Sequence, residues 1–146
     1  MASDIARPRT MRVFKNAWFQ KFARKEGISD AALCEAVKRA EDGLIDADLG
    51  AGLLKQRVAR PGEGKSGGYR TLLCFRTEAR AVFVFGFPKS SKDNLTDKEE
   101  ETYKKAAKLV LAFTEAEIDA EVASGRFLEV NCYDEDLPER GDGGGP

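Results

Sequence analysis

The chain has 146 residues, of which 42% are hydrophobic and 34% are charged, and its formal net charge is −1. This length and apolar content suffice for one domain with a hydrophobic core. Histidine is absent, which excludes a Ser-His-Asp or Cys-His catalytic site, a His-ligated metal and a two-histidine ribonuclease. We therefore expect no cofactor and no metal, and any acid–base chemistry must use Lys, Arg, Tyr, Asp or Glu.

The three cysteines, at positions 34, 74 and 132, form no CxxC spacing. An odd count without that spacing argues against both a disulfide framework and a zinc site. We expect Cys34 and Cys74 to be small buried residues. The sequence has no run of 18 apolar residues and no signal-peptide pattern at its start, which predicts a soluble, cytoplasmic protein without membrane contact.

The composition divides the chain into three parts. Residues 1–10 are polar and predict a flexible leader, residues 11–130 predict the folded domain, and residues 131–146 predict a disordered, acidic and Gly-rich tail. Residues 129–146 carry six acids and one Arg, so residues 1–128 hold 23 basic against 19 acidic groups. The domain is therefore basic, and an alternative role for the acidic tail is to shield it.

The first half of the domain predicts a strand followed by a helical hairpin. The strand covers Arg12 to Phe14. Asn16 is the expected N-cap of the first helix, which Gly27 ends, and Ser29 is the expected N-cap of a second helix from about Asp30 to Asp42. Two apolar stripes predict the buried helix faces, one of Trp18, Phe19, Phe22 and Ala23, the other of Leu33, Val37, Ala40 and Leu44.

The second half changes to a period of two from Leu53. Tyr69–Arg76 and Ala81–Phe87 predict two further strands joined by a short turn, and hence an antiparallel sheet. Thr96 and Thr114 each begin a capping box that opens a helix. Residues 127–130 return as a last strand or pack as an arm. The expected fold class is α+β, with an N-terminal strand and helical hairpin, an antiparallel sheet and C-terminal helices.

Basic residues are concentrated in the middle of the chain. Residues 50–92 contain nine Lys or Arg against two acids, a local charge of +7. Lys55 and Arg57 alternate with apolar residues, as do Arg70 and Arg76, which places each pair on one face of a sheet. Such a face is an electrostatic footprint for phosphate. The alternative is an ordinary solvated sheet face.

Most aromatic residues have the spacing of core positions: Trp18, Phe19, Phe22, Phe75, Phe83, Phe85 and Phe87. Tyr69 and Tyr103 have a second interpretation as platforms for nucleobases. Gly64-Lys65-Ser66 superficially matches a phosphate-binding P-loop, but Ala59 occupies the position of the first glycine and the segment leads into a strand. We interpret this segment as a basic, Gly-rich loop whose Lys65 approaches a sugar-phosphate backbone; an ordinary mobile loop is the alternative.

Three motifs together resemble one family. They are Leu-Leu-Lys-Gln-Arg-Val58, Arg60-Pro-Gly-Glu-Gly-Lys-Ser-Gly-Gly-Tyr-Arg70 and Ala81-Val-Phe-Val-Phe-Gly-Phe-Pro-Lys89. In this order, after a helical hairpin, they are similar to RelE-type toxins of bacterial type II toxin–antitoxin modules, over about residues 11–130. The resemblance implies a small α+β domain that cleaves mRNA, commonly in the ribosomal A site. It also implies a cognate antitoxin, and a toxin–antitoxin complex that binds operator DNA.

The resemblance also implies roles for individual residues. Arg70 matches the family's strand arginine that contacts the scissile phosphate, Lys55 and Arg57 match a basic pair on the preceding strand, and Lys89 matches a later basic position. We predict these four as catalytic residues, with Lys55 as general base or as a further electrostatic stabiliser. The predicted RNA-binding residues are Arg60, Lys65, Tyr69, Arg76 and Lys92. The family's following tyrosine or histidine has no clear equivalent, since Asn94 and Leu95 occupy that region and Tyr103 lies two turns later.

Three functions are compatible with these motifs. The first is an mRNA endoribonuclease that uses the RNA 2′-hydroxyl as nucleophile, needs no metal and acts with the ribosome. The second is a non-catalytic homologue that binds RNA or antitoxin, which the missing tyrosine allows. The third is a gyrase-directed toxin of the same superfold, which the clustered basic strands disfavour.

Overall fold

The computed structural model describes residues 11–59, 68–88 and 95–132. The predictions for the leader, for residues 133–146 of the tail, and for Arg60, Lys65, Lys89 and Lys92 lie outside the described residues.

The helical hairpin forms as expected. Helix α1 (Ala17–Glu26) begins where the Asn16 side chain accepts a hydrogen bond from the Phe19 amide, and it ends at Gly27 in the left-handed conformation. Helix α2 (Asp30–Glu41) has Ser29 as its N-cap. Leu44 was expected on the buried face of this helix, but it lies beyond the helix end and is 62% exposed.

Both predicted capping boxes are also present. Helix α3 (Asp97–Ala112) begins at Thr96 and helix α4 (Glu115–Ala123) at Thr114. In each, the threonine oxygen accepts from the amide three residues on, and the glutamate there accepts from the threonine amide. Of the helices in the described ranges, none is long and apolar enough to cross a membrane.

Six strands form one mixed sheet. They are β1 (Arg12–Asn16), β2 (Ala47–Gly50), β3 (Leu53–Val58), β4 (Tyr69–Arg76), β5 (Arg80–Pro88) and β6 (Phe127–Val130). Their order across the sheet is β2-β3-β4-β5-β1-β6. Residues 127–130 are therefore a strand. Strand β2 was not predicted, because it has only four residues and every second one is exposed to solvent.

The hairpin pattern predicted an antiparallel sheet, but one pair of neighbouring strands is parallel. Strand β1 pairs with β5 in parallel, from Arg12↔Arg80 to Lys15↔Phe83, and with β6 in antiparallel orientation. Hairpin signals report only pairs that are close in sequence, whereas β1 and β5 are far apart along the chain. The remaining neighbours, from β2 to β5, are antiparallel.

The two faces of the sheet bury separate cores. One face packs against α1 and α2 through residues such as Phe19, Leu33, Leu54, Tyr69 and Phe83. The other packs against α3 and α4 through Phe14, Leu53, Leu72, Val82 and Ala107; we call it the α3 face. Side chains of a strand alternate between faces, so each strand residue can be assigned to one of them.

Two cysteines that were expected to be unpaired form a disulfide. Cys34 in α2 and Cys132 after β6 are bonded, with a Cα–Cα distance of 5.4 Å and a sequence separation of 98. The odd count and missing CxxC spacing could not reveal a pair that only the tertiary fold brings together. Cys132 was also placed in the predicted tail, but it is anchored to α2. Cys74 is buried and free, as expected, and burial raises the pKa of its thiol to about 12.

Candidate nucleic-acid interface

Three basic side chains share the α3 face near one end of the sheet. Lys55 and Arg57 alternate with the inward-facing Leu54, Gln56 and Val58 of the opposite core, and Arg70 lies directly across from Arg57. Cβ atoms of such cross-strand partners are about 4.5–5.5 Å apart. Lys55, Arg57 and Arg70, which we call the basic row, are all partly exposed. The structure thus brings together three of the four residues predicted as catalytic.

Strand β3 is fixed from its other face by Gln56, which is completely buried. Its amide nitrogen donates to the carbonyl oxygens of Ala36 (2.9 Å) and Leu44 (3.0 Å), and its oxygen accepts from the Asp46 amide (3.3 Å). Because a shift by one residue would move every side chain to the other face, these bonds keep Lys55 and Arg57 on the α3 face.

The backbone of Arg57 is held by two ionic side chains. Asp46 Oδ2 accepts from its amide at 2.6 Å, and Arg39 Nη2 donates to its carbonyl oxygen at 2.5 Å. Charged partners make such bonds stronger than neutral ones. Gly68 adds a close contact, since a Cβ there would lie 2.6 Å from the Val58 carbonyl oxygen. A larger residue would push β4 away from β3 beside Arg57 and Arg70.

Arg70 carries an unsatisfied donor. Its Nε is buried and, within the part of the chain that the structure describes, is without a hydrogen-bond partner. A buried donor without an acceptor costs about 1–3 kcal/mol. Native structures rarely leave such a group unsatisfied without a functional reason.

Aromatic rings adjoin the basic row. The cross-strand neighbours continue from Lys55 through Leu72 to Phe85, and from Arg57 through Arg70 to Phe87. Phe85 stacks on Trp18 with 4.8 Å between ring centroids and on Tyr103 with 5.1 Å, and Trp18 stacks on Phe22 at 5.3 Å. We call Phe22, Trp18, Phe85 and Tyr103 the aromatic row.

Trp18 was predicted to be a core residue, but it is 45% exposed. Pairing of β1 with β5 ends at Lys15↔Phe83, and α1 begins two residues later. Trp18 therefore lies beside the part of β5 that no longer pairs with β1. Gly86 allows α1 to lie close to this segment, because a Cβ there would be 2.8 Å from the Phe22 ring. Trp18 thereby reaches Phe85 at the edge of the sheet.

A pocket opens beside the aromatic row. It has a volume of about 350 Å³ and is lined by Phe85, Thr96, Lys98, Glu99, Thr102 and Tyr103. Burial and the nearby charge of Glu99 raise the pKa of the Tyr103 phenol, so it stays protonated at neutral pH. The pocket lining holds one carboxylate, Glu99, and one ammonium group, Lys98, so these charges offset each other and the pocket is suited to an uncharged ring.

The other described candidates lie elsewhere. Tyr69 is fully buried in the opposite core, where its hydroxyl donates to Glu26, so the assignment of its ring to RNA does not match its position. Arg76 is on the α3 face but six residues beyond Arg70, about 20 Å along the strand. Arg80, part of the basic stretch, is buried and donates to Val110 O and Glu115.

The sequence reasoning missed Trp18 and Phe85 as members of the interface. Phe85 was missed because of a β-bulge that the sequence does not mark: Leu72 pairs with Phe85 but Leu73 pairs with Phe83. Val84 is therefore an extra residue, and Phe85 and Phe87 face α3 while Phe83 faces α1. Strict alternation places all three on one face.

The comparisons with known proteins agree with this architecture. A search of curated proteins returned no match. Residues 11–130 match the family model described as the RelE toxin of the RelE/RelB toxin–antitoxin system. This range begins just before β1, ends with β6 and includes the whole basic row. On that match, the chain belongs to the RelE family of toxins.

Proposed function

We propose that this toxin is an endoribonuclease that cleaves mRNA presented by the ribosome, with the basic row as its phosphate site. The observation that carries the proposal is the cross-strand pair Arg57↔Arg70 with Lys55 on the same face. Like charges directly opposite each other destabilise a sheet unless an anion lies between them. A bound phosphate removes that repulsion.

The unsatisfied Nε of Arg70 supports the same assignment. A phosphate oxygen is an acceptor of the kind that Nε lacks within the described chain, and arginine binds phosphate with two parallel hydrogen bonds. In the proposal, Arg70 and Arg57 hold the non-bridging oxygens of the scissile phosphate. Lys89 supports the leaving group, and Arg60, Lys65 and Lys92 contact the neighbouring backbone.

The chemistry follows from what RNA itself supplies. The 2′-oxygen loses its proton and attacks the adjacent phosphorus, and the bond from phosphorus to the 5′-oxygen breaks. The 5′-oxygen gains a proton, so the products are a 2′,3′-cyclic phosphate and a 5′-hydroxyl. The protein must align the 2′-oxygen and stabilise the dianionic phosphorane, which positioned cations do best. Lys55 accepts the 2′-proton or stabilises the phosphorane further.

Membership of the family implies an antitoxin partner that binds and inhibits the chain. The proposed substrate places the active toxin in the cytoplasm, where translating ribosomes present single-stranded mRNA. The ribosome then supplies part of the alignment of the message.

The test compares two arginines of the same strand. Purified wild type, Arg70→Ala and Arg76→Ala are added to a translating extract, and message ends are mapped by primer extension. We expect wild type and Arg76→Ala to cut alike. Arg70→Ala should cut on the order of 10²–10³-fold more slowly, the effect of losing one oxyanion donor, or about 2.7–4 kcal/mol.

Equal cutting by wild type and Arg70→Ala would refute the phosphate site. Intact message together with undiminished RNA or antitoxin binding would instead indicate a non-catalytic module. DNA damage in place of cleaved message would indicate a gyrase-directed toxin.

A further inference from the structure

Trp18 is the exposed member of the aromatic row, and the cleavage chemistry above does not use it. Trp18 is 45% exposed although it stacks on two other rings. Large aromatic side chains contribute most to stability when they are buried, so the fold gains little from leaving an indole at the surface. The exposed indole is therefore suited to a ligand with a flat ring that stacks on it.

The position of the row relates it to the phosphate site. Lys55 pairs with Leu72, and Leu72 pairs with Phe85, so Phe85 lies two strands away from Lys55. Phe87, the next residue of β5 on the same face, pairs directly with Arg70. Successive rows on one face are about 7 Å apart along a strand. Phe85 and the basic row are therefore neighbours on the α3 face, and Trp18 lies one ring beyond Phe85, with 4.8 Å between the two centroids.

Charge distinguishes the two surfaces. The basic row carries three cations, whereas the pocket beside Tyr103 is lined by one anion, Glu99, and one cation, Lys98. A phosphate is favoured at the former and an uncharged ring at the latter. Proteins that bind single-stranded nucleic acid combine these same elements, a cationic track and aromatic rings on which bases stack.

We propose that the aromatic row is a nucleobase-binding site, in which a base of single-stranded RNA stacks on the exposed surface of Trp18 beside the phosphate held by Arg57 and Arg70. The inference rests on the proposed function for its ligand, since it assumes that RNA lies along the basic row. It adds to that function a surface that holds the base and thereby positions the adjacent phosphate.

The test uses the indole itself, because Trp18 is the single tryptophan of the chain. A short single-stranded oligoribonucleotide with 2′-O-methyl riboses cannot be cleaved by 2′-oxygen attack. We expect it to quench the fluorescence of the full-length protein, whereas the same backbone with abasic positions should bind without quenching. Stacking requires the base, and electrostatic binding does not.

Affinities of a labelled oligonucleotide then compare variants. Trp18→Ala should bind about 5- to 150-fold more weakly, the range that loss of one stacked base corresponds to, and Trp18→Phe should retain part of the affinity. Leu109→Ala, which changes an exposed residue of α3 outside the row, is the matched control. Circular dichroism confirms that each variant is folded.

Failure of this inference is distinguishable from failure of the proposed function. Message cleavage that depends on Arg70, combined with no quenching and no effect of Trp18→Ala, would overturn the base site and leave the ribonuclease intact. Quenching that requires bases, without any cleavage of message, would support the base site and remove the enzymatic role. An indole that RNA ignores but whose loss prevents antitoxin binding would mean that the row is a protein contact, and the proposal would be wrong.

Discussion

Val84 is the extra residue of β5, and its insertion turns Phe85 and Phe87 toward α3. Bulges occur often beside functional sites because they redirect side chains without ending the strand. Here the bulge places two aromatic rings next to Lys55, Arg57 and Arg70 and leaves Phe83 in the opposite core. A single added residue therefore combines stacking and cationic groups on one surface.

Glu78 occupies a backbone conformation that its side chain disfavours. It lies in the turn between β4 and β5 with φ of +63°. The left-handed conformation costs a non-glycine residue about 1–2 kcal/mol. Glycine avoids this strain, but its greater freedom in the unfolded chain offsets about 0.5–1 kcal/mol of the gain. We predict that Glu78→Gly raises the free energy of unfolding by up to about 1 kcal/mol, as measured by urea denaturation.

Glu78→Val is the matched control for this turn. A β-branched residue tolerates positive φ poorly, so this variant should unfold at a lower urea concentration than wild type. A destabilised Glu78→Gly variant would show that contacts of the glutamate, and not its backbone conformation, determine the stability of the turn.

Individual residues were predictable from the sequence where alternation is regular. Lys55, Arg57 and Arg70 are on a shared face because β3 and β4 alternate without interruption near them. The periodic pattern failed for Phe85 and Phe87, since no local composition marks Val84 as a bulge. It also failed for Trp18, because exposure depends on where β1 stops pairing with β5.

At the scale of elements, an ionic network attaches α4 to the sheet in addition to the buried side chain of Ile118. Arg12 of β1 bonds to Glu115 and Asp119 of α4 and to Glu129 of β6, at 2.8–3.0 Å. Arg80 of β5 reaches the same Glu115 at 2.8 Å. Hydrogen bonds from Arg12 and Arg80 lower the pKa of the Glu115 carboxyl. One carboxylate thus connects α4 to two parallel strands.

This connection predicts a pH-dependent contribution to stability. Because the pKa of Glu115 is lower in the folded protein than its ordinary value of 4.5, the stabilisation is complete above pH 4.5 and is lost as the pH falls through the folded pKa. Glu115→Gln should lower the free energy of unfolding at pH 7 by about 0.5–1 kcal/mol, since the carboxylate is largely exposed. The difference from wild type should shrink below pH 4 in urea titrations.

Glu101→Gln changes an exposed carboxylate of α3 and serves as the control. A difference between Glu115→Gln and wild type that stayed constant from pH 7 to pH 3 would contradict the ionic explanation, because it would not follow the titration of Glu115.

Elements were predictable where their signals are local. N-caps, capping boxes and the β4–β5 hairpin depend on residues only a few positions apart, and each appears as expected. The parallel pairing of β1 and the short strand β2 depend on distant partners, which no window of sequence contains. The sheet is mixed for that reason.

At the scale of the whole molecule, the disulfide joins the second helix to the last residue of the described fold. It links α2 to the residue that follows β6 by two positions, and closes a loop of 98 residues in sequence. A cross-link over such a loop restricts the unfolded chain and typically stabilises a protein by about 2–5 kcal/mol. Reducing conditions such as those of the cytoplasm disfavour the bond.

We predict that dithiothreitol lowers the free energy of unfolding of the oxidised protein by about 2–5 kcal/mol, as measured by urea denaturation. The double variant Cys34→Ser and Cys132→Ser should show no response to the reductant. Cys74 should resist alkylation in the folded state, because its thiol is buried and its pKa is about 12. Identical denaturation of oxidised and reduced wild type would show that the cross-link contributes nothing.

The place of β1 in the sheet has a consequence for synthesis of the chain. This strand is made before the other five strands, yet its two neighbours are β5 and β6, whose paired residues lie at 80–83 and 127–130. Contacts between distant segments form only when both are available, and chains fold as they emerge from the ribosome. Strand β1 must therefore wait until most of residues 11–130 have been translated before both of its neighbours are present. The sheet of the toxin domain is therefore completed only after its last strand, β6, has been made.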